Sequence, residues 1–78
     1  MISYNDAKKI IAGTVSGHIN NAFEYKKTHY VFNIPDPSHP YGNPFYAVSK
    51  KTGMVTVISP LEDSESFFND MKKHPMEV

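Results

Sequence analysis

The side chains of this 78-residue chain that could do chemistry are four histidines, eight acidic residues and one Asp-Ser-His group. His18, His29, His39 and His74 are scattered, with no His-x₃-His pair. Without cysteine, a zinc site would have to combine them with carboxylates, so no metal is expected. Asp36, Ser38 and His39 hold the residue types of a hydrolytic triad. Triad members converge from separate points of a rigid scaffold, however, and neighbours on one proline loop do not. Glu62, Asp63 and Glu65 could form catalytic carboxylate pairs, but their place at a helix start accounts for them as dipole complements. Gly13, Gly17, Gly42 and Gly53 each have a turn, cap or packing role, so no phosphate loop is read. Neither a catalytic group nor a cofactor is expected, and the chain is not read as an enzyme.

Two sets of residues are better suited to binding than to catalysis. The first is the proline loop, where Pro37, His39 and Tyr41 could form a rigid recognition edge. The plainer reading of that loop is a stiff crossover between strands. The second set comprises Lys26, Lys27, Lys50 and Lys51. In an up-and-down meander these two turns share one end of the sheet, which would gather the four lysines into a patch for phosphate backbones. The plainer reading is solvated lysines that keep the turns soluble.

Charge and composition limit the alternatives. Eight acids balance eight bases, so long-range attraction to nucleic acid or membrane is absent. Every base is lysine, and without arginine the bidentate reading of guanine edges is lost, so nucleic acid is a less favoured partner. No stretch approaches the ~20 apolar residues of a membrane span. The N-terminal residues lack a signal-peptide pattern, and cysteine is absent, so a cytoplasmic location is expected.

The elements that must position these residues fit one α+β domain over residues 1–78. A helix is expected over residues 4–16, with Ser3 as N-cap answered by Asp6, and an apolar stripe of Ala7, Ile10, Ile11, Thr14 and Val15. Gly13 within it is read as a close approach to the sheet, and Gly17 as the helix stop. Strands are expected at 22–25, 29–34, 45–49 and 54–58 in an antiparallel meander of three or four strands. The first two could equally be one bent strand. Four of the six prolines fall in the 35–44 loop and exclude regular structure there. Lys50-Lys51-Thr52-Gly53 reads as a hairpin turn with a G1 bulge. A final helix over 60–73 starts with Ser59 as N-cap, Pro60 and Glu62, and turns Leu61, Phe67, Phe68 and Met71 to the core.

In the 45–58 hairpin, Phe45, Ala47, Val55 and Val57 are expected on one face, and Tyr46, Val48, Met54 and Ile58 on the other. Both faces are then apolar. Either helices cover both, or one is kept for a partner such as a second copy in a homodimer.

The run Phe45-Tyr46-Ala47-Val48-Ser49-Lys50-Lys51-Thr52-Gly53-Met54-Val55 resembles the Thr-Gly hairpin of PepSY-like and small bacterial immunity-type α-β-β-β domains. It departs at Ser49, where those families place Asp. The resemblance implies a module that binds or inhibits another protein. The lysine-only, Asn- and Tyr-rich usage and the small size suit an accessory protein of a bacterium, phage or prophage. The functional expectation is therefore a non-catalytic protein-interaction or inhibitory module. The alternative is a nucleic-acid-associated accessory protein that uses the clustered lysine turns.

Overall fold

The computed structural model describes residues 1–15, 17–34, 45–58 and 64–77. The fold is α+β: helix α1 (Tyr4–Thr14), strands β1 (Asn21–Tyr25), β2 (His29–Asn33), β3 (Phe45–Ser49) and β4 (Val55–Ile58), helix α2 (Ser64–Lys73) and a two-residue strand β5 (Pro75–Met76). The strands form one antiparallel sheet in the order β4-β3-β2-β1-β5. The proline loop at 35–44 and the start of the final helix, with Ser59, Pro60, Leu61, Glu62 and Asp63, lie outside the described residues.

The first helix starts as its sequence dictates. Ser3 Oγ accepts the Asp6 amide at 3.1 Å, and the Asp6 carboxylate accepts the Ser3 amide at 3.3 Å. Two of the orphan donors at the N-terminus are thereby satisfied. Ala7 and Ile11 are buried, with Ile10 and Val15 half-buried beside them. Gly13 does not approach the sheet: it is exposed, and a Cβ built there would meet no atom within 4 Å. At ~100° per residue, position 13 is turned about 200° away from Ile11, onto the solvent side.

Apolar alternation puts large side chains on both faces of the sheet, and each face carries one helix. On the first face, Ala7 and Ile11 of α1 pack with Ala22, Phe32, Ile34 and Val48. On the second, Phe67 of α2 packs with Phe23, Val31 and Ala47. Phe67 makes edge-on ring contacts with Phe23 at 5.0 Å, Phe45 at 4.8 Å and Tyr25 at 5.4 Å, so one side chain spans β1 to β3. Phe68, expected in the core, is 44% exposed. Consecutive helical residues are rotated by ~100°, so only one of the two phenylalanines can point straight at the sheet.

The 45–58 hairpin turns as expected, with Gly53 at φ +75° and its amide bonded to Ser49 O at 2.8 Å. The left-handed backbone favours glycine at position 53, and a Cβ there would sit 3.3 Å from Ile10 Cδ1, so the end of that side chain would have to shift by a few tenths of an ångström. The faces of the hairpin differ from those expected. A four-residue turn sets Val48 opposite Val55, Tyr46 opposite Val57, Ala47 opposite Thr56 and Phe45 opposite Ile58. Directly opposed residues share a face, so Tyr46, Val48, Val55 and Val57 lie on the α1 side, and Phe45, Ala47, Thr56 and Ile58 on the α2 side.

The segment from 21 to 33 is two strands, joined by a tight turn in which Lys26 and Lys27 both have positive φ (51° and 59°). Such a left-handed pair matches the twist of the flanking strands, at a strain of about 1–2 kcal/mol per non-glycine residue. The Asp70 carboxylate of α2 accepts the Lys26 amide at 2.8 Å and helps hold the turn. Strand β5 is additional to the three or four strands expected. Pro75 opens a short strand on the outer edge of β1, where its missing amide is harmless.

Replacing Phe67 with Ala is expected to cost about 3–5 kcal/mol in urea unfolding, as for a buried aromatic in a small core. Phe68→Ala should cost much less, under about 1 kcal/mol, because that residue is 44% exposed.

Candidate functional site

The two lysine turns do meet at one end of the sheet. The Lys50 amide donates to Thr28 O at 3.0 Å, which ties the β3–β4 turn to the β1–β2 turn. The Ile2 amide in turn donates to Lys50 O at 2.8 Å, so the residues before α1 are fixed to the same place. The four ammonium groups are not equivalent, however. Lys26, Lys27 and Lys51 are exposed, whereas Lys50 is 7% exposed and counts among the buried residues. Its Nζ lies 2.6 Å from Glu24 Oε2 and 4.7 Å from the centre of the Tyr30 ring. The stem packs, the charge is neutralised by a carboxylate, and a ring face lines the remaining side. Lys50 therefore serves the fold and is removed from any phosphate-binding patch. Lys26 Nζ lies 5.2 Å from the centre of the Tyr25 ring.

Pro37, His39 and Tyr41 lie outside the described residues. Of the other histidines, His18 follows α1, His74 follows α2, and His29 opens β2 with its Nδ1 2.8 Å from Thr28 Oγ1. Among the described residues, no group of three or more His, Asp or Glu side chains is placed to hold a metal ion.

The two edges of the sheet contrast. On the β1 side, β5 covers the edge, with the Glu24 amide donating to His74 O at 3.0 Å and Ala22 opposite Met76. That cover is fastened by the Tyr4 hydroxyl, which donates to Glu77 O at 2.7 Å while its ring lies on Tyr30 and Phe32. Burial, and then the Glu77 carboxylate, push the Tyr4 phenol above its ordinary value of 10.0.

On the other side, β4 is the end of the sheet. Antiparallel pairs alternate between bonded and non-bonded, and the Ser49 amide bonded to Met54 O at 3.0 Å fixes the phase. Ala47–Thr56 and Phe45–Ile58 are then the bonded pairs, which leaves the amides and carbonyls of Val55 and Val57 directed outward. Beside them Val57 is 69% and Met54 65% exposed. The usual protections of an edge, a lysine, a proline or a bulge within the strand, are missing from Val55-Thr56-Val57-Ile58. The only trace of this edge in the sequence is an apolar strand with no charge in it, directly after the hairpin turn.

The fold is therefore that of a small α+β domain in which, among the described residues, one sheet edge is covered and the other is open. No family model, characterised protein or solved structure matches the chain. Among the described residues no helix is long and apolar enough to cross a membrane.

Two outcomes test the electrostatics of the turn end and the tether. Lys50→Met is expected to lower stability by about 1–3 kcal/mol, because it leaves the half-buried Glu24 carboxylate without its counter-charge. Adding Glu24→Gln should recover most of that loss in the same denaturation assay. The raised Tyr4 phenol gives a second expectation. A group with a raised native pKa binds its proton more tightly when folded, so its contribution is complete below pH 10.0 and falls as pH rises through the folded value. Tyr4→Phe should be less stable at neutral pH and show a shallower decline above pH ~10 in a pH series of urea melts.

Proposed function

We propose that this protein is a non-catalytic protein-interaction or inhibitory module that engages its partner through the open β4 edge, by strand addition. The observation that carries this reading is the outward set of backbone groups at Val55 and Val57, flanked by the exposed side chains of Met54 and Val57. An added strand would bond to the backbone groups and draw affinity from them, while alternate side chains select its sequence. Both sheet faces carry a helix, so the edge offers what the faces do not. The resemblance of the 45–55 hairpin to PepSY-like and immunity-type domains points the same way. The cysteine-free sequence suits a cytoplasmic setting for this binding.

A photo-crosslinking side chain at the exposed position Thr56, introduced in cells that express the chain, is expected to give discrete protein adducts. The same group at Lys9, exposed on α1, should give none. Equal adduct patterns at the two positions, or no adduct at Thr56, would remove the edge as the binding element.

A further inference from the structure

From the register of β4 we infer that the occupant of the open edge is a second copy of this chain, paired antiparallel across a two-fold axis through Thr56. This deepens the strand-addition reading and rests on it. The inference comes from self-complementarity. The outward groups belong to Val55 and Val57, and they are all satisfied at once if Val55 faces Val57 of the second copy and Val57 faces its Val55. Those two bonded pairs make four hydrogen bonds, and Thr56 falls opposite Thr56 as the non-bonded pair between them.

The side chains agree with that register. On the α1 face, Val57, 69% exposed in the single chain, lands against Val55 of the second copy. On the α2 face, Met54, 65% exposed, lands opposite Ile58 of the second copy, and the two threonines meet at the axis. Two of the four large exposed hydrophobic residues among the described residues are covered in one step. The formal net charge of zero means that two copies approach without net repulsion. An isologous contact closes on itself, so pairing ends at the dimer and joins two five-stranded sheets into one of ten strands. Four strand residues on each side make a small contact, which belongs with weak, concentration-dependent dimers.

The chain has no cysteine, so an introduced one reports only this contact. Opposed residues of a non-bonded antiparallel pair have Cα atoms ~4.5 Å apart, within the range a disulfide spans. Thr56→Cys is therefore expected to oxidise to a covalent dimer. Val57→Cys should stay monomeric, because its counterpart lies two residues away along the strand, beyond ~7 Å. In the unaltered protein, the apparent mass by sedimentation should rise toward double between about 5 µM and 1 mM, as for a weak interface. Over that range the Val55 and Val57 amides should gain protection from hydrogen exchange while the exposed turn amide of Lys27 does not. Val57→Lys, which places a charge on the edge without touching the core, should weaken association about tenfold or more.

A monomer throughout the range, or disulfide formation equal at positions 56 and 57, would overturn the self-pairing. If that happens while a crosslinker at Thr56 still captures a different protein, the edge reading stands and only the identity of its occupant fails. No adduct at Thr56, together with a monomer, removes both.

Discussion

Strands β1, β2 and β3 are apolar on both faces, and that constraint governs the rest of the structure. Phe23 and Val31 look one way while Ala22 and Phe32, their neighbours along the chain, look the other. Neither face can be left to water without exposing a large aromatic surface. The chain has two helices to spend on the problem and places one on each side. Each helix is short and contributes few anchors: Ala7 and Ile11 from α1, Phe67 from α2. The thin double core explains why a single ring, Phe67, in contact with Phe23, Tyr25 and Phe45, carries so much of the second face.

The same economy shapes the ends of the sheet. The lysine-rich turns come together, yet the lysine nearest the core, Lys50, is turned inward onto Glu24 and Tyr30. Its backbone links the β1–β2 turn to the residues before α1, so it works as a structural junction. A charge pair at this depth is tolerable because the Glu24 carboxylate remains partly solvated, with 29% of its side chain accessible.

The edges of the sheet are treated unequally. Two residues of β5 are enough to protect β1, because Tyr4 holds the end of the chain over that edge from the opposite helix. Among the described residues strand β4 has no such cover, and its outward backbone groups lie between exposed apolar side chains. An uncharged edge is a hazard in a monomer and an asset in a module that binds by strand addition. The proposed interaction rests on that asymmetry.

Local chemistry settled much of this protein in advance. Ser3 and Asp6 fix the start of α1, Gly53 fixes the β3–β4 turn, and alternation fixes four of the five strands, because each depends on residues close in sequence. What the sequence left open depended on long-range geometry. Phe67 and Phe68 are equally apolar, and only the docking angle of α2 decides which is buried. Lys50 and Lys51 are adjacent and identical, and only the position of Glu24 across the sheet draws one of them inward. The short β5, the cover on β1 and the bare edge of β4 arise from pairings between distant segments, to which periodicity along the chain is blind.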